Sequence, residues 1–172
     1  ENYFIRAIAH LNLCNVFATP YTYGKEIRPD MPGVVLRNST DCSVTTRATV
    51  GEVYDQIVLD LQKAMELMKA GTRRGNAGYA SYDAAAGLLT RVYLYMGEYE
   101  KCYQLAEEIM GANPASKLDD ITTYYPNTRT SKETLWCIAK LATDPDYSPK
   151  SQVASMYYSP DSIGGTGWCE MY

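Results

Sequence analysis

Apolar residues in the N-terminal part of the chain recur at helical spacing, in blocks separated by Pro and Gly. From Tyr3 to Phe17, the positions Phe4, Ile8, Leu11 and Val16 share one face, with Ala7, Leu13 and Cys14 beside them. That period predicts an amphipathic helix, and Pro20 predicts its end. From Thr19 to Ala48 the pattern lapses. Pro20, Gly24, Pro29, Pro32 and Gly33 break it, with a short extended piece expected at Val34-Val35-Leu36. Structureless loops of this length are uncommon in compact domains and are often functional.

The period returns at Val50. Val53, Tyr54, Ile57, Leu61, Ala64, Met65 and Met68 continue it, and Gly71 is expected to close the helix. Its start is marked by Thr49-Val50-Gly51-Glu52, a capping box in which the Thr hydroxyl and the Glu carboxylate each satisfy a backbone N–H. A link from Gly71 to Gly78 carries Arg73 and Arg74, read as solvated. Ser81 then caps a third helix running through Met96, with Ala84, Ala85, Leu88, Leu89, Val92, Tyr93 and Met96 inward. The small residues Ala84 to Gly87 permit close approach of another helix. Gly97 supplies a left-handed end, and a fourth helix spans Tyr99 to about Met110. So short a link predicts an antiparallel pair.

After Pro114 the period is lost. Asp119 to Arg129 is polar and carries Tyr. Leu135, Cys137, Ala139 and Leu141 alternate, which predicts one short strand over Thr134–Leu141. Thr130-x-x-Glu133 also fits a helix cap. From Thr143 onward Pro, Gly, Ser and Tyr predict loop. The expected architecture is all-α: tetratricopeptide-like antiparallel helical repeats with long irregular loops. It is read as one domain over 1–172, with its helical core over about 1–114 and a loop-rich segment over about 115–172.

Composition narrows the functional classes. The net charge is −4 with 21% charged residues, and no basic stripe is present to bind nucleic acid or an anionic membrane. There are 16 Tyr but only 2 Phe and 2 Trp. Tyr suits half-wet surfaces, either as amphipathic helix seams or as a wet face that grips polar rings. Cys14, Cys42, Cys102, Cys137 and Cys169 are an odd number of thiols without a C-x-x-C pair, and His10 does not complete a zinc set. Cys14 and Cys102 read as buried free thiols. No signal peptide or membrane span is visible. Residue 1 already lies inside an apolar pattern, so the chain reads as a section of a longer protein.

No phosphate loop, dinucleotide fingerprint, nucleophile elbow or zinc motif is present, and no cofactor is expected. His10 reads as a satisfied or surface histidine. Asp119-Asp120 and Asp144-x-Asp146 are carboxylate pairs of the type a glycosidase uses, or turn and cap carboxylates. Asp161 to Gly165 lacks the alternating acids of a calcium loop. The loop aromatics Tyr21, Tyr23, Tyr124, Tyr125, Tyr147, Tyr157, Tyr158 and Trp168 remain. Sugars can lay C–H faces on such rings, and burying ~100 Å² of apolar surface contributes ~2.5 kcal/mol before ordering costs. The alternative is that the rings pack loops onto the helices. Tyr157, Tyr158 and Trp168 are the expected ligand-binding residues.

Leu89, Tyr93, Gly97, Tyr99 and Pro114 fall at the offsets of a tetratricopeptide repeat, with Thr90 and Cys102 at its small positions. Ile109 is larger than the usual Ala. One repeat needs neighbours to bury its face, and the first two helices can serve as a second. Four segments in order carry a more specific resemblance. They are Arg6-Ala7 with Val16 to Tyr21, Arg47 to Tyr54 with Ile57, Asp60-Leu61 and Ala64, Ala84-Ala85 through Arg91 to Tyr99, and Ser131 to Trp136. Together they resemble the SusD/RagB family, with Ala18 where that family usually has Gly.

This resemblance implies a non-enzymatic role at the outer membrane of Bacteroidetes. Such proteins are lipid-anchored, cap a SusC-like TonB-dependent transporter, and capture glycans or other nutrients at the extracellular face. It implies that ligand groups come mostly from loops and vary among members, and that Arg91 and Tyr93 are better read as structural than as ligand-binding. It also implies missing N- and C-terminal parts. Two other readings stand beside it: an intracellular tetratricopeptide adaptor that holds a peptide, and a helical glycoside hydrolase.

Overall fold

The computed structural model describes residues 1–23, 28–40, 46–68, 77–124 and 130–138. Its elements in order are α1 (Asn2–Phe17), α2 (Val50–Leu67), α3 (Tyr82–Met96), α4 (Tyr99–Met110), a 3-10 turn (Pro114–Lys117) and α5 (Ile121–Tyr124). Residues Glu1–Cys137 make one compact unit. Of the second, Ile138–Tyr172, only Ile138 is described, and it is exposed.

Each of the four long helices packs on the next. The α1/α2 pair is antiparallel, since Arg6 near the start of α1 meets Asp60 late in α2, while Tyr21 just beyond α1 stacks on Tyr54 early in α2. The α3/α4 pair is antiparallel too, with Tyr82 at the start of α3 bonded to Glu108 near the end of α4. Phe4, Ile57, Leu61, Val53 and Val92 are completely buried between them. α4 buries none of its residues fully, so its apolar stripe is covered on one side only. Among the described residues no helix is long and apolar enough to cross a membrane.

The helix ends follow their local chemistry. Thr49 Oγ1 accepts from the Glu52 N–H (3.3 Å) and Glu52 Oε2 accepts from the Thr49 N–H (2.8 Å), the reciprocal pair of a capping box. Ser81 Oγ accepts from the Ala84 N–H at 3.2 Å. Gly97 stands at φ 75° and turns the chain from α3 into α4. α2 ends earlier than expected, at Leu67 with Met68 as its cap, while Gly71, Arg73 and Arg74 lie outside the described residues.

The segment Val34-Val35-Leu36 is non-helical and joins no named strand. The chain around Pro32 pairs with the entry to α2, the Gly33 N–H donating to Ala48 O (2.7 Å) and the Ala48 N–H to Val34 O (3.0 Å). Gly33 is needed there because a Cβ would lie 2.9 Å from Thr49 O. One part of the expected pattern is corrected: there is no strand at residues 134–138, and no helix follows Thr130. The alternating side chains there insert among helices: the Leu135 methyl fills the space beside Gly87, and Trp136 meets Phe4 edge-on at 5.4 Å. The Cys137 N–H donates to Ala77 O. Ala139 and Leu141 lie outside the described residues.

Candidate functional site

The long loop is fastened to the helices by two arginines. On α1, Arg6 holds Asp60 of α2 with two donors, Nε to Oδ2 at 2.7 Å and Nη2 to Oδ1 at 2.5 Å, and its Nη1 reaches Asn38 O in the loop. Gln56 donates to Asp60 as well. The bonds to Asp60 hold the Arg6 guanidinium above its usual pKa. Arg47 donates to Gly33 O (2.7 Å) and to Phe17 O (2.8 Å). α1 has no basic residue in its last turn, so Arg47 brings the cation that its C-terminal carbonyls favour. His10 is buried, and its Nε2 accepts from the Arg37 N–H at 3.4 Å. Burial pushes the His10 pKa down, the nearby Arg6 adding to that and Asp60 opposing it.

A cleft of about 490 Å³ lies between α1, α3 and the segment 133–136. Its floor is apolar, with Phe4, Leu88, Leu135 and Trp136, and its rim is polar, with Asn12, Asn15, Arg91 and Tyr95. A smaller hollow of about 280 Å³ shares Asn15 and Tyr95 with it and is lined also by Thr19 and Tyr21. Such volumes bracket the lower range of small-ligand pockets, about 300–1,000 Å³. A third hollow lies between α2, α3 and α4, and its polar groups are already engaged. There Gln62 donates to the Tyr93 hydroxyl, Lys101 pairs with Glu98 and lies over the Tyr93 ring, and Glu108 accepts from Tyr82.

Tyr157, Tyr158 and Trp168, the ligand-binding residues expected from sequence, lie outside the described residues, as do Tyr125 and Tyr147. Of the other loop rings, Tyr21 is buried and stacks on Tyr54 with centroids 4.7 Å apart, which is loop packing. Tyr124 is half-buried, with the Thr134 hydroxyl directed at its own, and Tyr23 is exposed. Tyr93 is buried, as a structural role requires. Arg91 differs: it is exposed on the cleft and has no partner among the described residues. Asn12, Asn15 and Tyr95, none of them expected from sequence as site residues, also line this cleft. Their only signal was polar residues on otherwise apolar helix faces, at Arg91 and Tyr95 one turn apart on α3.

The carboxylate pair Asp119-Asp120 does local structural work. Asp119 accepts from the Ser131 hydroxyl (2.5 Å) and the Lys132 N–H (3.0 Å). Asp120 Oδ1 accepts from the Thr122 N–H and hydroxyl at the start of α5. These bonds, led by Ser131 and Thr122 respectively, hold both acids below the usual carboxylate range. A general acid needs the opposite shift. Asp144 and Asp146 lie outside the described residues. Cys14, Cys102 and Cys137 are free thiols, Cys14 buried and its pKa raised by that burial. No cluster of metal-ligating side chains occurs among the described residues.

The same arrangement of helices occurs in known proteins. A SusD superfamily protein from Bacteroides thetaiotaomicron is 32% identical with a TM-score of 0.60, over 74% of this chain and 27% of that one. A SusD superfamily protein from Bacteroides vulgatus is 26% identical with a TM-score of 0.61, over 74% and 28%. A SusD-like carbohydrate binding protein from the same species shares the fold at 22% identity and a TM-score of 0.66, over 81% and 29%. The chain thus spans under a third of the length of each. No curated protein matches it. Residues 1–94 match the SusD-like family described as starch-binding and associating with the outer membrane. With more than half of its 172 residues so matched, the chain belongs to the SusD-like family.

Proposed function

We propose that this chain is the helical-repeat section of a non-enzymatic, glycan-binding protein of the outer membrane. The whole protein is held by a lipid anchor at the extracellular face and delivers its ligand to a SusC-like TonB-dependent transporter. The observation that carries this reading is the family match over residues 1–94, whose description is starch-binding and outer-membrane association. The engaged state of Asp119 and Asp120 supports the non-enzymatic part, since both are committed to backbone and hydroxyl donors. The long insertion between α1 and α2, fastened by Arg6 and Arg47, is unlike the short turns of a plain peptide-binding repeat array.

The role of the repeats in this reading is to hold loops in place. Ligand contacts come mostly, though not solely, from loop aromatics, with Tyr157, Tyr158 and Trp168 as the proposed stacking residues. Two experiments on the full-length protein test the reading. One is a glycan array, expected to show binding of soluble oligosaccharides such as starch fragments. The other is purification from detergent-solubilised outer membranes, expected to bring down a large β-barrel transporter. A protein that binds no glycan and co-purifies with no barrel would overturn it.

A further inference from the structure

We propose that the cleft between α1 and α3 binds a carboxylate-bearing sugar, a hexuronate unit of an acidic glycan, with Arg91 as its anchor. This rests on the glycan-binding reading above and names a ligand class and a place for it. Arg91 carries the argument. Arg6, Arg28 and Arg47 each donate to an acceptor, whereas Arg91 has no hydrogen bond or ion pair among the described residues. The cleft lining also holds one acid, Glu133, whose Oε1 is engaged in accepting from the Asp119 N–H at 2.5 Å. A guanidinium with free donors beside a concave surface presents a planar fork that matches a carboxylate in two parallel bonds.

The rest of the lining fits a sugar that carries that carboxylate. Asn12 and Asn15 are exposed on the rim, and neither amide has a partner among the described residues. Each amide can donate and accept, which is what a pair of ring hydroxyls requires. Tyr95, 42% exposed, offers a ring for the apolar C–H face. The adjoining hollow, which shares Asn15 and Tyr95, holds the Thr19 hydroxyl, a buried polar atom with no partner among the described residues. Buried hydroxyls are rarely left unpaired, so a hydroxyl-rich ligand extending there gives it one. Among the described lining residues Arg91 is the sole cation, which suits a singly charged carboxylate better than a doubly charged phosphate.

The test is calorimetric titration of the full-length protein with tetragalacturonate and with maltotetraose. Arg91→Gln is expected to weaken tetragalacturonate binding by at least about tenfold, the range for charge-assisted bonds. Arg91→Lys, which keeps the charge but not the fork, is expected to recover part of the loss. Asn15→Ala is expected to weaken binding too. Arg28→Gln, whose exposed pair with Asp30 lies away from the cleft, serves as the control with unchanged affinity. Wild-type tetragalacturonate affinity in Arg91→Gln, or binding of maltotetraose alone, would overturn this inference and leave glycan binding standing. Failure to bind any glycan would overturn both.

Discussion

Arg6 of α1 and Asp60 of α2, 54 residues apart in sequence, meet in a two-donor ion pair in which Asp60 is 2% exposed and Arg6 28%. A buried carboxylate of this kind needs its partner more than the fold needs the pair. Arg6→Ala is expected to destabilise by about 3–5 kcal/mol, because it leaves the buried Asp60 without a counter-ion, with only the neutral Gln56 amide still donating to it. Asp60→Leu combined with Arg6→Met is expected to lose clearly less. Urea unfolding followed by circular dichroism checks both, and equal losses in the two variants would refute the argument.

His10 is the single histidine of the chain, so titration near neutral pH can be assigned to it. Its folded pKa lies below the ordinary 6.5, chiefly through burial. The unfolded chain then binds more protons than the folded one in the window below 6.5. Stability is therefore complete above that pH and declines as pH falls from it toward the folded pKa. His10→Gln, whose side-chain oxygen can accept from the Arg37 N–H in place of Nε2, is expected to flatten this decline. The comparison is the midpoint of thermal unfolding at pH 7.5 and 5.5, in wild type and variant. An undiminished decline in the variant would place the sensitivity elsewhere.

Two glycines make an opposed pair. A Cβ on Gly33 would press on the backbone of Thr49 and Val50, at 2.9 and 3.0 Å, while one on Gly51 in the first turn of α2 would meet nothing within 4 Å. Gly33→Ala is expected to destabilise by about 1–3 kcal/mol through overpacking. Gly51→Ala is expected to stabilise by up to about 1 kcal/mol, by restricting the unfolded chain and favouring helix. Chemical denaturation midpoints decide, and the same sign for both would be wrong for this account.

The capping box is the local counterpart. Thr49→Ala is expected to cost about 1 kcal/mol, seen as a lower denaturation midpoint. Glu52 takes its lowered pKa from the Thr49 N–H first and its hydroxyl next. That contribution is present above the ordinary carboxylate pKa and is lost as pH falls through the folded value. Thr49→Ala removes the hydroxyl share alone, so part of the acid sensitivity is expected to persist.

What the sequence made legible is what short-range chemistry decides. Thr49 with Glu52, Ser81 and Gly97 each act on neighbours within a turn, and each stands where the pattern placed it. The Arg6–Asp60 pair and the Arg47 bridges were not legible, since nothing local marks which charges meet across 54 or 30 residues. The strand expected at Thr134–Leu141 is absent over its described part, residues 134–138, for a related reason. Alternation reports two faces, but Leu135 and Trp136 found helices to pack on instead of a neighbouring strand. The cleft was hidden as well. Asn12, Asn15, Arg91 and Tyr95 come from two helices far apart in sequence, and only the packing of α1 near α3 brings them to one rim.

The central claim, glycan capture without turnover, is tested most directly by titrating the full-length protein with oligosaccharides and then recovering the ligand. The account predicts saturable heat on glycan addition and a ligand recovered with its chain length intact. Shortened oligosaccharides after incubation, or no heat with any glycan, would contradict it.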